Sequence, residues 1–142
     1  MIVPIASDHA GFEAKEVTKK ILERLGLMPV DFGTHSNEST DYPEFAVQVA
    51  EKVDRGEHDF GILICGSGQG MCMTANKFRN IRAALVYNEN VAALSRQHNN
   101  ANLLCLPGRE LDEIRSNRFC DPGSIMNSKE GATSAGSTRF TN

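Results

Sequence analysis

Basic residues are not in excess in this sequence. Its 15 lysines and arginines are outnumbered by 18 acidic residues, which gives a formal net charge of -3 with the two signs interspersed. A balance of this kind argues against a nucleic acid or an anionic membrane surface as the main partner. Any cationic binding site must therefore be local.

Long apolar runs are also missing. No segment has the length of a membrane-spanning helix, and the first residues, MIVPIASDHAG, lack the basic and apolar regions of a secretory signal. The sequence therefore predicts a soluble, cytoplasmic protein with no membrane partner.

Paired cysteines are a third absence. The four cysteines, Cys65, Cys72, Cys105 and Cys120, include no Cys-x-x-Cys spacing. Without that spacing, neither a zinc site nor a disulfide framework is indicated. We expect free thiols in a reducing compartment, with no metal and no cofactor.

What the sequence does contain is an alternation of short apolar runs with longer stretches of helical period. At 142 residues and 40% hydrophobic content, the chain can form one domain with a substantial core. The alternation is typical of an α/β fold in which helices cover both faces of an open parallel sheet. Strands are predicted at 2–7, 28–32, 59–65, 81–87 and 102–106, and helices at 11–25, 43–55, 69–79 and 89–98.

Polar residues follow several predicted strands at the point where each strand ends. Ser7, Asp8 and His9 follow the first strand, a glycine-rich loop begins at Cys65 after the third, and Arg109 follows the fifth. In open parallel sheets, ligands bind outside the carboxyl ends of the strands. We therefore expect these residues to form a site at one edge of the sheet.

The stretch ICGSGQG, which contains Cys65, gives the strongest indication of chemistry. A cysteine between a strand and a helix lies near backbone N–H groups and the positive end of a helix dipole, which favour the thiolate. The thiolate could act as a base, while the amides of residues 66–70 could bind an oxyanion or an enediolate. A structural alternative is a buried strand cysteine followed by a tight turn. A dinucleotide site is disfavoured, because the spacing is G-x-G-x-G and follows the third strand.

Four segments together resemble one known family. SDHAGFEAK (7–15), DYPEFA (41–46), ILICGSGQGMCMTANKFRNIRAA (62–84) and LSRQHNNANLLCLPGR (94–109) resemble the type B ribose-5-phosphate isomerases, whose family includes the galactose-6-phosphate isomerase subunits. The resemblance implies a flavodoxin-like, Rossmann-like parallel sheet of five strands and metal-free aldose–ketose isomerisation of a small phosphorylated sugar. It also implies a homodimer, or a tetramer of paired dimers, with active sites across the dimer interface.

The resemblance implies a role for each matching residue. Cys65 is expected to be the proton-abstracting base, His98 to open the sugar ring, and Ser67 to add a hydrogen bond to the enediolate. The expected substrate-binding residues are Asp8, His9, Tyr42, Gly66, Gly68, Gln69, Gly70, Asn99 and Arg109. Simpler roles remain open, since Asp8 and Ser67 could be helix caps, and His98 and Asn99 could be ordinary residues of a helix C-terminus.

The end of the chain departs from this family. Members close with a segment similar to FEGGRHxxR, whose arginines bind phosphate, whereas residues 116–142 are polar, rich in serine and glycine, and without helical period. Degenerate back-translation of residues 123–139, read from the third codon position, permits the peptide WLDNEFEGGRHLRRVDK. We therefore hypothesise an isomerase domain at 1–115 followed by a frame-shifted tail, with Arg109 as the phosphate ligand that matches.

Two classes of function follow from these observations. One is an isomerase that interconverts ribose 5-phosphate and ribulose 5-phosphate through a cis-enediolate, with galactose 6-phosphate or allose 6-phosphate as alternative substrates. The other is an impaired sugar-phosphate-binding protein that has the same fold but lacks part of its phosphate site.

Overall fold

The computed structural model describes residues 1–36, 38 and 42–109, without the side chains of Tyr42 and Glu89. Within these residues, strands alternate with α-helices, and a short 3-10 helix, His9–Gly11, follows the first strand. The strands are β1 Ile2–Ser7, β2 Met28–Asp31, β3 Gly61–Cys65, β4 Ala83–Leu85 and β5 Leu103–Pro107, and the α-helices are α1 Phe12–Arg24, α2 Tyr42–Asp54, α3 Gln69–Ala75 and α4 Glu89–Asn99.

The strands form one parallel sheet in the order β2-β1-β3-β5-β4. The predicted open, five-stranded parallel sheet with helices is therefore confirmed. In flavodoxin itself the order is 2-1-3-4-5, so the last two strands are exchanged here. Because β5 is an interior strand, Gly108 and Arg109 lie beside the end of β3 rather than at the margin of the sheet.

The third helix is shorter than the predicted 69–79. It ends at Ala75, and the side chain of Asn76 then bonds both backbone groups of Ala83, at 2.9 Å each. These bonds join the end of α3 to the start of β4. The fourth strand is likewise shorter than predicted, at three residues. The tail at 116–142 lies outside the described residues.

Two apolar layers hold the sheet between the helices. Every residue of β3 is buried, and its side chains alternate between the layers. Ile62 and Ile64 pack in the layer that contains residues of α1 and α4, whereas Leu63 and Cys65 pack in the layer that contains residues of α2 and α3. Cys65 therefore shares its layer with the helix that follows the glycine loop.

Candidate active site

Cys65 is the last residue of β3 and lies at the carboxyl-terminal edge of the sheet. Only 5% of the residue is exposed. Its carbonyl oxygen accepts a 2.8 Å hydrogen bond from the N–H of Gly108, which follows β5. Cys65 therefore lies where the central strand meets the glycine loop, as the sequence predicted.

Gly68 makes the turn from the loop into α3. Its φ is +77°, and a Cβ atom there would lie 2.6 Å from Leu85 Cδ1 and 3.1 Å from the nitrogen of Pro107. Glycine is thus required both for the backbone conformation and for the close approach to β4 and β5. This packing holds the loop against the edge of the sheet, next to Cys65.

Ser67 contributes to the same turn. Its hydroxyl oxygen accepts a 3.3 Å hydrogen bond from the N–H of Gln69, the first residue of α3. This is a local turn contact, because the N-cap of α3 is Gly68 and no side chain caps the helix, so the capping role that the sequence left open for Ser67 is not observed. Ser67 and Gln69 are both exposed, and Gly66 and Gly70 are half-buried, so the loop is accessible from solvent.

Arg109 is brought to the loop by the interior position of β5. Its N–H donates a 3.1 Å hydrogen bond to the carbonyl oxygen of Gly66. A Cβ atom at Gly66 would lie 3.4 Å from Arg109 Cδ and 3.8 Å from Nη1, so the side chain passes directly over the glycine. An exposed guanidinium group thus stands beside the loop, where it could bind an anion.

Asp8 and His9 follow β1 at the same edge. The N–H of Asp8 donates to the carbonyl oxygen of Ile64 at 3.2 Å, which joins the end of β1 to β3 next to Cys65. Asp8 Oδ1 accepts a 3.0 Å hydrogen bond from the N–H of Gly11, so its predicted alternative as a helix cap is also observed. Asp8 is 7% exposed, whereas His9 is half-buried.

A buried ion pair behind this edge was not anticipated. The side chain of Lys15 is fully buried, and its Nζ contacts both carboxylate oxygens of Asp31 and the carbonyl oxygen of Thr34. Burial raises the pKa of Asp31, but hydrogen bonds from Lys15, Lys19 and the N–H of Gly33 outweigh it, and the pKa lies below its usual value. A sequence signal existed, because Lys15 falls one helical turn before Thr18, on the buried stripe of α1.

A second unanticipated feature is a group of thiols. Cys65, Cys72 and Cys105 are free and share one apolar layer. Burial raises the pKa of the Cys105 thiol well above its ordinary value, and the neighbouring Cys72 and Cys65 raise it further. A hydrogen bond with Cys105 lowers the pKa of Cys72, although burial opposes this.

His98 and Asn99 do not join Cys65 within one chain. Helix α4 starts after β4 at the carboxyl edge, where the Asn88 side chain caps it, and runs back to the opposite edge. At 1.5 Å per residue, its 11 residues span roughly 16 Å. His98 and Asn99 are exposed in its last turn, and the Asn99 carbonyl accepts a 2.6 Å bond from Arg82 Nε. Tyr42 begins α2, but its side chain is outside the described part.

A cleft of about 830 Å³ opens beside Asn99, with Arg79 and Arg82 in its lining. It lies at the amino-terminal edge of the sheet and so is separate from the surroundings of Cys65.

Among the residues that the structure describes, no group of three His, Cys, Asp or Glu side chains could hold a metal ion. No helix in the described ranges is long and apolar enough to cross a membrane.

Comparison with known proteins gives this geometry its context. The sequence model of the family described as Ribose/Galactose Isomerase matches residues 3–121. The chain belongs to this family. A probable ribose-5-phosphate isomerase B of Mycoplasma genitalium is 44% identical to it over 119 residues, which cover 82% of this chain and 78% of the relative.

Solved structures of the same family are also similar. A ribose-5-phosphate isomerase B of Clostridium thermocellum is 38% identical, has a TM-score of 0.91 and is matched over 99% of this chain and 95% of its own. A ribose-5-phosphate isomerase B of Mycoplasma genitalium, described with bound ribulose-5-phosphate, is 38% identical, with a TM-score of 0.86 and coverage of 98% and 91%. The family match spans every candidate site residue from Asp8 to Arg109.

Proposed function

We propose that this protein interconverts ribose 5-phosphate and ribulose 5-phosphate. The proposal rests chiefly on one observation: a cysteine ends the central strand of a family member and leads directly into a close-packed glycine loop. It is supported by the relative described with bound ribulose-5-phosphate, which is similar over almost the whole chain.

In this proposal, Cys65 moves the proton. Its thiolate removes the proton from C2 of the open-chain aldose, which gives a cis-enediolate with its charge on O1. A proton then passes from the C2 hydroxyl to O1, and the thiol returns its proton to C1 to give the ketose. The negative charge of the enediolate oxygen needs fixed donors near the base. The first N–H groups of α3 have no acceptor within their own helix, and Gly68 places them beside Cys65, so residues 66–70 are suited to that role.

Ring opening requires a second acid–base group, and we assign it to His98 of another copy of the chain. A histidine with a pKa near neutrality can both donate and accept the protons involved. Cys65 and His98 lie at opposite edges of one sheet, too far apart to act on one sugar. The proposed enzyme is therefore a homodimer in which each site receives His98 and Asn99 from its partner.

Arg109 is the proposed phosphate ligand, because its guanidinium group lies beside the loop and can form charge-assisted hydrogen bonds with an anion.

The family match ends at residue 121, two residues before the stretch that back-translates to a family ending. We retain the frame-shift hypothesis for that stretch. Each charged hydrogen bond that the usual ending would donate to phosphate is worth about 1.5–3 kcal/mol. Sequencing the gene across codon 122 tests the hypothesis, and codons that do not permit Gly-Gly-Arg-His in the shifted frame contradict it.

The substrate is tested by assaying the purified full chain with ribose 5-phosphate and measuring formation of ribulose 5-phosphate. Cys65→Ala is the control for contaminating isomerase. Because the family description also names galactose, galactose 6-phosphate and allose 6-phosphate are assayed in parallel. Faster conversion of a hexose phosphate would replace the pentose assignment. Binding of ribose 5-phosphate without turnover of any of these sugars would favour the impaired binding protein.

A further inference from the structure

The end of helix α4 carries two of the proposed site residues at the surface of the chain. His98 and Asn99 are both exposed, as is Asn100, so burial in the core does not fix them. The last four carbonyl groups of a helix have no partner within it, and helix ends fray unless other groups bind them. A side chain that must reach into another copy of the chain therefore depends on what holds this last turn.

Arg82 supplies a bond to that turn. It precedes β4, and its Nε donates a 2.6 Å hydrogen bond to the carbonyl oxygen of Asn99, the last residue of α4. The donor is charged, so the bond is stronger than one between neutral groups, and a positive charge at a helix C-terminus interacts favourably with the helix dipole. The end of α4 is thus joined to the start of β4.

The backbone of Arg82 is itself held at the edge of the sheet. Its N–H donates to Asn102 Oδ1 at 2.8 Å, and its carbonyl oxygen accepts a 3.0 Å bond from the N–H of Asn102. The Asn102 side chain also donates to the carbonyl oxygen of Asn80 at 2.8 Å. These bonds use backbone groups of Arg82 and Asn80. A change of the Arg82 side chain therefore keeps them and removes the bond to Asn99.

The bond lies where the chain reverses direction after α4. Asn100 has a left-handed backbone, with a φ of +50°, and the N–H of Ala101 then donates to the carbonyl oxygen of Ser95 at 2.9 Å. The reversal is held from the helix by Ser95 and from the sheet by Arg82. The second of these contacts sets where the last turn of α4 lies relative to β4.

We propose that Arg82 is a positioning residue, which holds the last turn of α4 so that His98 enters the site of the partner subunit in the orientation for ring opening. This inference rests on the proposed function of His98. Arg82 acts through the backbone of Asn99 and does not itself contact the sugar. Since a displacement of about 1 Å at a reacting group can lower a rate by about 10²-fold, a single bond at this position can control the activity.

Arg82→Met and Arg82→Gln are the matched pair that tests the anchor. Methionine has a similar length and no donor, whereas glutamine places an N–H donor the same number of bonds from Cα as Arg82 Nε. Hydrogen–deuterium exchange of the full chain measures the backbone of residues 97–102. Arg82→Met should raise the exchange rate there about 10-fold or more, because a bond from a charged donor is lost, and Arg82→Gln should raise it less.

Arg79→Met is the control, because Arg79 is an exposed arginine in the lining of the same cleft, and it should leave this exchange unchanged. An unchanged exchange rate in Arg82→Met would overturn the anchor. The readout needs no isomerase activity, so its outcome is distinct from failure of the proposed function.

Activity tests whether the anchor acts through His98. On ribose 5-phosphate, Arg82→Met should lower kcat about 10–100-fold, and Arg82→Gln should keep most of the native value. The double variant with His98→Ala is then assayed on an open-chain sugar phosphate, and it should be no slower than His98→Ala alone. A native kcat in Arg82→Met would overturn the positioning role, and so would a further loss in the double variant, since a general structural defect adds to the loss of His98. Failure of the native chain to convert any of the sugars contradicts the isomerase assignment and this role with it.

Discussion

The ammonium group of Lys15 lies 2.7 Å from one carboxylate oxygen of Asp31 and 2.8 Å from the other, on a side chain that has no exposed surface. The pair joins α1 to the end of β2. Lys15 also donates to the carbonyl oxygen of Thr34, and the N–H of Thr34 donates to Ser7 at 2.7 Å. A buried ion pair thereby holds the loop after β2 against the end of β1, immediately before Asp8.

Replacing Lys15 by methionine should destabilise the fold. The substitution leaves the Asp31 carboxylate, which is only 12% exposed, without its buried partner. Loss of one partner of a buried ion pair lowers the free energy of unfolding by about 3–5 kcal/mol. Because Lys19 still donates a hydrogen bond to Asp31, we expect a loss near the lower end of that range. Urea denaturation measures the change. Lys19→Met is the matched control and should cost less than about 1 kcal/mol, because Lys19 is partly exposed. Equal losses in the two variants would contradict this account.

Asp31 should make stability sensitive to acid. Since its pKa in the folded protein is below the ordinary 3.8, its contribution is complete above that value and is lost as the pH falls through the lowered pKa. Asp31→Asn should therefore be less stable than the native sequence at neutral pH, and the difference should shrink below pH 3.8. Unfolding free energies measured across this range test the sign. Glu13→Gln, at an exposed position, serves as control. If the stability difference between Asp31→Asn and the native sequence stays constant in acid, the assigned sign of the pKa shift is wrong.

Cys65→Ala should abolish isomerisation while the fold and substrate binding remain. A base acts in proton transfer, so its removal lowers kcat, by about 10²-fold or more, and leaves the dissociation constant of ribose 5-phosphate nearly unchanged. Single-turnover kinetics and calorimetric titration separate these quantities. An unchanged kcat would falsify the assignment of Cys65 as the base.

Mixing two inactive variants should restore activity if Cys65 and His98 act across two chains. Cys65→Ala and His98→Ala are each inactive on the cyclic sugar, but a mixed dimer has one site with both residues intact. Random assembly after co-expression gives about a quarter of the normal number of sites. Cys65→Ala co-expressed with the double variant is the control, which has no complete site. No recovery above that control would mean that the two residues do not share a site in this way.

His98→Ala alone should be rescued in part by an open-chain substrate. General acid–base help in ring opening contributes on the order of 10²–10⁴ in rate, and a sugar that cannot cyclise does not need it. The ratio of activities on cyclic and linear substrates measures this. Equal losses on both would move His98 to a binding role.

Gly68→Ala should cost both stability and activity. A left-handed backbone costs an ordinary L-residue roughly 1–2 kcal/mol, and here the added Cβ would also lie only 3.1 Å from backbone atoms of Leu106 and Pro107 in β5, which cannot move aside as a side chain can. Gly26→Ala is the matched control, because its φ is +80° and nothing lies within 4 Å of the added atom. Thermal unfolding and kcat should both be worse for Gly68→Ala, whereas Gly26→Ala should lose stability alone. Identical behaviour of the two variants would remove the packing argument.

The sequence by itself determined the elements and the local part of the site. The continuous apolar run of β3, the helical period of α1 and the glycines after Cys65 depend on residues near one another along the chain, so their patterns could be read directly. The resemblance to the family gave the chemistry, and the family membership agrees with it.

The tertiary structure alone decided which distant residues meet. The interior position of β5 places Arg109 directly over Gly66, the fold pairs Lys15 with Asp31, and the direction of α4 takes His98 to the far edge. None of these relationships follows from periodicity, because strand order and contacts through space are set by how the whole core packs rather than by neighbours along the chain.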